Sequence, residues 1–293
     1  MLNIQLYNAL LAAVLPTTVV VLVGDVNQLP PIGAGFVLRD LLDSEIVPFV
    51  ELSHIYRQQH GNEIVSSAYS INQGEMPPLI KGKEFSFIPV SNIEELLSSM
   101  ENYYEEALAE SEDMLDVQII APMRRGAVGS NALSKYIQIY HKKKSVEESP
   151  SVRIMGQELC VGDKVIQNTN NYELEIFNGE IGTIYAISKT HVFVRFPDKD
   201  IPIPLDEAQG LSLAYAITVH KSQGSEYSTV IIPFIRAYHR MLKRNLLYTA
   251  VTRARERVII LGTEQAIRMA VDTIEGNTRH TLFKERLKGL IEE

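Results

Sequence analysis

Two apolar runs near the end of the chain, Val230-Ile231-Ile232-Pro233 and Val258-Ile259-Ile260-Leu261-Gly262, decide the fold class. Short continuous runs of β-branched and apolar residues are typical of strands that are buried on both faces of a sheet. The residues between them, from about Arg240 to Thr252, predict a helix. A strand, a helix and a second strand in this order indicate an α/β fold with a mainly parallel sheet.

The same pattern occurs twice more towards the beginning of the chain. The run Val19-Val20-Val21-Leu22-Val23 predicts a buried strand, followed by a Pro/Gly-rich loop and a helix from about Phe36 to Leu42. The run Val117-Gln118-Ile119-Ile120-Ala121-Pro122 predicts a strand that leads through a loop into a helix from Ser130 to about His141. Leucines at helical spacing also predict an opening helix that ends at Pro16.

One region, from Val152 to about Gly210, lacks helical periodicity and predicts a small antiparallel barrel inserted into the α/β domain. Its turns are predicted from the pairs Asn170-Asn171 and Asn178-Gly179. The charged segment from Lys142 to Pro150 before it predicts a flexible linker. The strands predicted in this region are Lys164-Val165-Ile166-Gln167, Gly182-Thr183-Ile184-Tyr185-Ala186-Ile187 and His191-Val192-Phe193-Val194-Arg195-Phe196.

Composition excludes several classes of protein. The chain has 293 residues, of which 45% are hydrophobic and 22% charged, so a sizeable core is expected and wholesale disorder is not. No apolar run approaches the ~20 residues that a membrane span needs, and a single cysteine, Cys160, provides neither a disulfide framework nor a zinc cluster. The N-terminus has no secretory signal pattern. We therefore expect a soluble, cytoplasmic protein without a membrane partner.

The charge is distributed unevenly. The net charge is −8, yet residues 220–260 contain eight Lys and Arg against two Glu, which leaves 20 basic against 34 acidic residues elsewhere. A local cluster of positive charge on an acidic background is typical of a polyanion site, because phosphate responds to the nearby field. A solvated basic face is the alternative that charge alone leaves open.

The loop that follows the first predicted strand reads Gly24-Asp25-Val26-Asn27-Gln28-Leu29-Pro30-Pro31-Ile32-Gly33-Ala34-Gly35. Ligands bind at the carboxyl ends of parallel strands, where Asp25 and Gln28 would reach a metal-bound water or a terminal phosphate. The string resembles motif III of superfamily 1 DNA helicases. In that family this motif couples the nucleotide state to the grip on DNA, which makes Gly24, Asp25 and Gln28 candidate ATP contacts and Pro30 and Pro31 candidate DNA contacts.

Two further strings resemble motifs IV and VI of the same enzymes. The first is Glu51-Leu52-Ser53-His54-Ile55-Tyr56-Arg57-Gln58 and the second Tyr248-Thr249-Ala250-Val251-Thr252-Arg253-Ala254-Arg255-Glu256-Arg257. In the family the arginine of each motif enters the nucleotide cleft, where a guanidinium donates two hydrogen bonds to phosphate oxygens. The resemblance therefore makes Arg57 and Arg253, with Gln28, candidate catalytic residues. Arg255 and Arg257 are expected to be surface or salt-bridging residues.

The string Thr218-Val219-His220-Lys221-Ser222-Gln223-Gly224-Ser225-Glu226-Tyr227 resembles motif V. Hydroxyl and amide side chains around one turn are suited to phosphate and sugar contacts. In the family Thr218, His220 and Ser222 would face single-stranded DNA. The residues from Gln223 to Glu226, with Gly224 and Glu226 as candidate ATP contacts, would border the nucleotide.

Two weaker resemblances extend the candidate DNA contacts. The loop and helix start from Ala121 to Asn131 resemble the family's loop that binds the DNA backbone, with Arg124, Arg125 and Ser130 as strand contacts. The region from Gly162 to Gly182 resembles the Src-homology-3-like barrel that RecD-like enzymes carry inside the second motor domain. There Asn170, Asn171 and Tyr172 would contact the backbone or a base, although an ordinary turn with a core tyrosine fits equally well.

Taken together, the motifs resemble the RecD-like superfamily 1 helicases from about Val19 to Gly262. The resemblance implies a RecA-like parallel-sheet motor domain with an inserted Src-homology-3-like barrel. The expected division is 1–48 for the end of a first motor domain, 49–150 and 211–293 for the second, and 151–210 for the barrel. It also implies ATP and Mg²⁺ as cofactors in the complete enzyme, single-stranded DNA as substrate, and subunits of a helicase–nuclease complex as candidate partners.

The chain departs from the family in one respect. It contains no Gly-x-x-x-x-Gly-Lys-Ser/Thr string and no Asp-Glu pair on a strand before Gly24, which in P-loop ATPases provide the phosphate cradle and the magnesium ligands. Met1 lies just before the expected position of motif III, so we expect a fragment or a truncated product without a metal site of its own.

Two functions remain open. One is the C-terminal portion of an ATP-dependent 5′–3′ DNA helicase for recombination or repair; the other is a single-strand-binding module without hydrolysis. Conjugative relaxase-helicases and Pif-type helicases share the motifs.

Overall fold

The computed structural model describes residues 2–52, 62–144, 149–274 and 281–289, and it divides into two compact units. The first unit comprises residues 1–62 and 274–293, and the second comprises residues 63–273. In the described residues, no helix is both long and apolar enough to span a bilayer.

In its described residues, the first unit contains three helices and the loop that follows the first of them. The helices are α1 (Ile4–Ala13), α2 (Val37–Ser44) and α8 (Phe283–Gly289). The Asn3 side chain caps α1 at the backbone N–H of Leu6 and donates to the carbonyl of Ile32. The predicted opening helix and the helix after the Pro/Gly-rich loop are therefore confirmed.

The predicted strand from Val19 to Val23 is wrong. These residues form no strand, and Val19 and Val23 are 86% and 93% exposed. A buried parallel strand needs hydrogen-bonded neighbours on both edges, and the described residues of the first unit contain no other strand to supply them. The β-branched run favours an extended backbone locally. Whether it forms a strand depends on neighbouring strands that can pair with it.

The second unit is built on a five-stranded parallel sheet. Its strands lie in the order β1 (Phe85–Pro89), β12 (Ala254–Gly262), β11 (Tyr227–Phe234), β2 (Val117–Ala121) and β10 (Ala216–Thr218). The two runs that decide the fold class are the central neighbours, with Val230 opposite Val258 and Ile232 opposite Ile260, all fully buried. The predicted α/β fold with a parallel sheet is confirmed.

Five helices pack around this sheet: α3 (Glu63–Gln73), α4 (Ile93–Glu110), α5 (Ser130–Lys144), α6 (Arg244–Val251) and α7 (Glu264–Asp272). The helix predicted from about Arg240 to Thr252 is split, because a 3₁₀ turn (Arg236–Met241) precedes α6. The linker predicted at 142–150 lies partly in α5, and its residues 145–148 lie outside the described part of the chain.

The inserted antiparallel domain is also confirmed. Its sheet has the order β8 (Lys199–Pro204), β7 (His191–Phe196), β6 (Ile181–Ile187), β5 (Lys164–Gln167) and β9 (Leu211–Leu213), beside a hairpin of β3 (Ser151–Ile154) and β4 (Gln157–Cys160). Alternation on β7 places Val192, Val194 and Phe196 in the core. The last strand reaches Leu213, three residues beyond the expected barrel, and the proposed division into domains stays a prediction.

Candidate nucleic-acid interface and nucleotide-facing residues

A cleft opens at the carboxyl edge of the parallel sheet, between the ends of β2 and β10. These strands are paired so that Ala121 lies opposite Thr218, and the chain leaves both strands at the same edge. The polar lining of the cleft comprises Arg124, Ser130, Asn131, Ser212, Thr218 and Lys221. Three of the predicted DNA contacts, Arg124, Ser130 and Thr218, therefore lie together, although Thr218 is far from the other two in sequence.

The loop between β2 and α5 presents a helix N-terminus to this cleft. Ser130, the first residue of α5, is buried, and its N–H donates to the carbonyl of Met123 at 2.9 Å. Gly129 permits the close turn, because a Cβ at that position would lie 2.4 Å from the carbonyl oxygen of Arg125. The N–H groups of Ser130 and Asn131 are already bonded to the carbonyls of Met123 and Arg124, so α5 contributes the positive potential of its macrodipole to the cleft and not these two donors.

Lys221 lies in the motif V string but is not among the predicted DNA contacts. It is half-buried in the same cleft, and burial, together with the positive charge of Arg124, lowers the pKa of its ammonium group. Two cations facing one cleft repel each other, and a phosphate between them would relieve that repulsion. The signal that could have identified Lys221 is its charge, one residue beyond His220 in the motif V string.

Asn168, from the inserted domain, was missed altogether. Its amide oxygen accepts a hydrogen bond from the Lys221 ammonium group, while its amide nitrogen donates to the Gly210 carbonyl at 2.7 Å and to the Ser212 hydroxyl at 2.9 Å. The inserted domain therefore orients a cation of the parallel-sheet domain. Nothing in the sequence links Asn168 to a lysine 53 positions later.

The remaining residues of the motif V turn have different roles. The N–H groups of Lys221 and Ser222 both donate to the Thr218 carbonyl, which forms the turn. Ser222 is fully buried and its hydroxyl donates to the carbonyl of Val219 at 2.9 Å, so this side chain stabilises the turn from within. His220 is partly exposed on the same turn.

The predicted nucleotide-facing residues of the second unit lie at the opposite, amino edge of the sheet. Arg253 is 7% exposed and donates to the carbonyls of Ser225 at 3.1 Å and Thr249 at 3.2 Å. The N–H of Tyr227 donates to the Arg253 carbonyl, which fixes the Gly224–Glu226 turn beside the arginine. The structure thus brings Gly224, Glu226 and Arg253 together, as the motifs predict for residues that serve one ligand.

Arg255 and Arg257 form ion pairs at the same amino edge. The Arg255 guanidinium lies 2.8 Å from Asp116, and Arg257 lies 2.7 Å from Glu106 and 3.0 Å from Glu110. The expectation that these two arginines are surface or salt-bridging residues is confirmed, since both form salt bridges.

In the first unit the predicted motif III residues form a compact turn. One Asp25 carboxylate oxygen accepts from the Asn27 N–H at 2.9 Å, and the other accepts from the Gln28 side-chain amide at 3.2 Å. Gly24 is close-packed, since a Cβ there would lie 2.8 Å from Leu38. Pro30 and Pro31 follow and are partly exposed. Arg57 lies outside the described residues.

The predicted barrel contacts are held in a rigid loop. The Asn171 side-chain oxygen accepts from the N–H groups of Glu173 and Leu174, and its amide donates to Glu207. Asn170 accepts from the Asn178 N–H and donates to the Tyr172 hydroxyl. Both asparagines are engaged in shaping the turn, whereas Tyr172 is 75% exposed and available to a partner.

The residues present do not match the ligand set that a nucleotide-bound Mg²⁺ requires. Asp25, the candidate nearest to such a role, already accepts two local hydrogen bonds, and the described residues contain no group of three or more His, Cys, Asp or Glu that could hold a metal ion.

Comparisons with known protein families agree with a parallel-sheet domain that contains an inserted antiparallel domain. Residues 213–261 match a UvrD-like helicase C-terminal domain, residues 133–196 match the SH3 domain of ATP-dependent RecD-like DNA helicases, and residues 1–88 match an AAA domain. The SH3 match overlaps β5, β6 and β7 of the inserted sheet.

Individual relatives extend over nearly the whole chain. The ATP-dependent RecD2 DNA helicase of Deinococcus radiodurans is 34% identical over 289 residues, which is 98% of this chain and 38% of the relative. The RecBCD enzyme subunit RecD of Mycolicibacterium smegmatis is 28% identical over 98% of this chain and 52% of the relative. The chain thus spans about two fifths to one half of the length of these relatives.

A structure of Pif1 helicases engaged in DNA unwinding at forked double-stranded DNA shares the fold, with a TM-score of 0.50 at 19% identity over 91% of this chain and 65% of that chain. The parallel sheet, the inserted antiparallel sheet, the matching domains and the RecD2 relative together establish that the chain belongs to the RecD-like superfamily 1 helicases and contains the C-terminal helicase domain and SH3 domain of that family.

Proposed function

We propose that this chain binds single-stranded DNA through the carboxyl edge of its second unit. One observation carries the proposal: Arg124, Lys221, the N-terminus of α5 and the Thr218 hydroxyl converge on a single cleft. Two cations, a helix N-terminus and a hydroxyl are the groups that contact nucleic-acid phosphates in proteins. The lowered pKa of Lys221 supports the same assignment, because it arises from burial beside a second cation.

We further propose that the chain is part of an ATP-dependent 5′–3′ helicase that moves along a single strand in the cytoplasm during recombination or repair, and that Arg57, Arg253 and Gln28 contact the terminal phosphate of ATP there. The support is family membership and the position of Arg253 beside the Gly224–Glu226 turn. Other subunits are candidate partners of the complete enzyme, since the mycobacterial relative is a subunit of RecBCD.

The absence of a phosphate-cradle string favours a second statement about the chain itself, namely that it binds DNA without hydrolysing ATP. The two proposals are compatible, because the first concerns a longer protein and the second concerns these residues.

The DNA proposal is tested by anisotropy of a fluorescent oligothymidylate titrated with the chain over a range of salt concentrations. For single strands the slope of log K against log [salt] is about −0.7 for each phosphate neutralised. We expect Arg124→Gln combined with Lys221→Gln to reduce the magnitude of this slope by about 1.4 and to weaken binding at every salt concentration.

The control is Arg195→Gln combined with Arg268→Gln, because both of these arginines are exposed and paired with carboxylates. This variant loses the same charge and is expected to bind like the wild type. If the two variants bind equally weakly, the cations of the cleft contribute no more to DNA binding than other exposed charges of the chain. If the wild type shows no salt-sensitive binding, DNA binding by this edge is refuted.

A further inference from the structure

The basic residues of the second unit are sorted between the two edges of the parallel sheet. At the amino edge, Arg255 and Arg257 are neutralised by Asp116, Glu106 and Glu110. At the carboxyl edge, within the described residues, Arg124, Arg236 and Arg240 form no ion pair with a carboxylate. Part of the local excess of positive charge in the sequence therefore stays unneutralised at this edge.

The 3₁₀ turn from Arg236 to Met241 belongs to that carboxyl edge. It follows β11, which is parallel to β2 and adjacent to it in the sheet, so the turn emerges beside the loop that contains Arg124. A hydrogen bond fixes this arrangement: the hydroxyl of the buried Tyr238 donates to the carbonyl of Val128 at 2.6 Å. The turn and the loop are therefore one connected surface.

Three side chains of the turn, Arg236, His239 and Arg240, are exposed. Within the ranges that the structure describes, none of them is paired with a carboxylate. Arg195 in the inserted domain differs, because it is exposed and lies 3.0 Å from Asp200. Burial of Tyr238 between these residues keeps the backbone of the turn in place while both guanidinium groups face solvent.

The order of strands at this edge sets the path that a ligand would follow. The strands β10, β2 and β11 are neighbours in the sheet. Lys221 follows β10, Arg124 follows β2, and Arg236 and Arg240 follow β11. Neighbouring strands are about 4.8 Å apart, so the edge is roughly 10 Å wide. A single strand that crosses this edge would therefore pass from the cleft to the turn.

We propose that the Arg236–Met241 turn is a second contact for the phosphodiester backbone, next to the cleft of Arg124 and Lys221, and that it neutralises the phosphates of the strand beyond the cleft. The inference rests on the proposed binding of single-stranded DNA and extends it to residues that none of the helicase motifs includes. This contact would recognise the negative charge of the backbone and not the base sequence, because guanidinium groups contact the phosphates without reaching the base edges.

The test compares the wild-type chain with Arg236→Gln combined with Arg240→Gln in the same salt titration of a fluorescent oligothymidylate. We expect the magnitude of the salt slope to fall by about 1.4 and the affinity to fall several-fold at low salt. The control, Arg195→Gln combined with Arg255→Gln, removes two charges that are paired with Asp200 and Asp116 and is expected to leave the slope unchanged. A hairpin duplex as a second probe shows whether the turn contacts duplex as well as single-stranded backbone.

The outcomes separate this inference from the proposed function. If the variant of Arg124 and Lys221 loses binding while the variant of Arg236 and Arg240 matches its control, the cleft binds DNA and the second contact is refuted. If the wild type shows no salt-sensitive binding, both proposals fall. Loss in the Arg236 and Arg240 variant with an unchanged thermal melting curve supports the second contact, because the substituted side chains are exposed and play no part in packing.

Discussion

At the scale of single residues, Lys221 shows how position changes the chemistry of a side chain. An exposed lysine is a solvated charge, but here burial and the charge of Arg124 lower the pKa of the ammonium group. The Asn168 amide oxygen holds that group at the cleft. The lysine therefore has a strong tendency to bind an anion, since an anion restores the stability of its charged form.

A pH dependence follows from the direction of this shift. A phosphate prefers the charged lysine, so DNA binding weakens as pH rises through the lowered pKa of Lys221, below the 10.5 of an ordinary lysine. We expect the affinity for oligothymidylate to fall on going from neutral to alkaline pH. In Lys221→Arg this fall should be absent or strongly reduced, because a guanidinium stays charged. The measurement is anisotropy at constant salt; identical pH profiles in the two proteins would contradict the role of Lys221.

Arg253 is expected to contribute to stability as well as to its proposed contact with ATP. Its buried guanidinium satisfies the carbonyls of Ser225 and Thr249. Loss of a buried donor that leaves acceptors unsatisfied costs about 1–3 kcal/mol, so Arg253→Ala should lower the free energy of unfolding by that order in a urea titration. Arg268→Ala, at an exposed position paired with Glu264, should change it by less than about 0.5 kcal/mol. A difference near zero between the two variants would show that these hydrogen bonds do not stabilise the folded chain.

The motif strings were sufficient to name Arg124, Ser130 and Thr218, which the structure places around one cleft. They were not sufficient for Asn168, whose contribution depends on how the inserted domain packs on the parallel-sheet domain. Such contacts are set by tertiary packing over long sequence separations. Similarly, nothing local in the sequence distinguishes the buried Ser222 from the partly exposed Thr218 in the same turn.

At the scale of secondary-structure elements, β5 connects the two sheets of the second unit through Lys164. This lysine is fully buried, and its ammonium group donates to the carbonyls of Val117 at 2.9 Å and Met114 at 3.1 Å. These carbonyls belong to the start of β2 and to the 3₁₀ turn before it (Met114–Asp116). The first strand of the inserted sheet is thereby fixed to the amino edge of the parallel sheet.

We expect Lys164→Met to destabilise the chain by about 1–3 kcal/mol, because the carbonyls of Met114 and Val117 lose their donor. Burial also lowers the pKa of Lys164 to about 7 from 10.5, so the unfolded chain binds a proton in that range that the folded chain releases. Stability from this group therefore rises with pH between about 7 and 10.5, and the gap between wild type and variant should widen in the same interval.

The measurement is the midpoint and slope of urea unfolding at several pH values. The control is Lys189→Met, because Lys189 is exposed in the turn between β6 and β7. If the gap between wild type and Lys164→Met is constant from pH 7 to 10, the group does not titrate as its burial implies.

Elements were predictable where burial and periodicity agree. The strands β5 and β7 have the bounds that their apolar patterns predict, and β11 and β12 contain the runs that decide the fold. The strand predicted at Val19 to Val23 failed because pairing partners decide whether a β-branched run forms a strand. The long helix α4 was not predicted, although Leu96, Met100, Tyr104 and Ala107 are buried at helical spacing and the Asn92 side chain caps it at Glu95.

At the scale of the whole molecule, the two proposed binding functions of the second unit lie at opposite edges of one sheet. DNA binding is proposed at the carboxyl edge and nucleotide contact at the amino edge. The cleft and the Arg236–Met241 turn are at the carboxyl edge, and Arg253 is at the amino edge beside the Gly224–Glu226 turn. The chain from Thr218 to Tyr227 connects these edges. Thr218 and Ser225 are thus the ends of one continuous segment of eight residues, which connects contacts at one edge with contacts at the other.

Without a phosphate-cradle string, the chain is expected to have no DNA-stimulated ATPase activity of its own. Phosphate release measured with excess oligothymidylate should not exceed that of Arg253→Ala prepared in parallel. Turnover by the wild type that is lost in the variant would contradict this expectation and show that other residues hold the nucleotide.

Passage of a single strand along the carboxyl edge can be measured by photo-cross-linking of an oligothymidylate that contains 4-thiothymidine, with the linked peptides identified by mass spectrometry. We expect cross-links within residues 122–131 and 218–221, and further cross-links within 236–241 when the oligonucleotide is long enough to pass the cleft. Cross-links confined to residues 254–257 at the amino edge, with none at the carboxyl edge, would contradict this expectation.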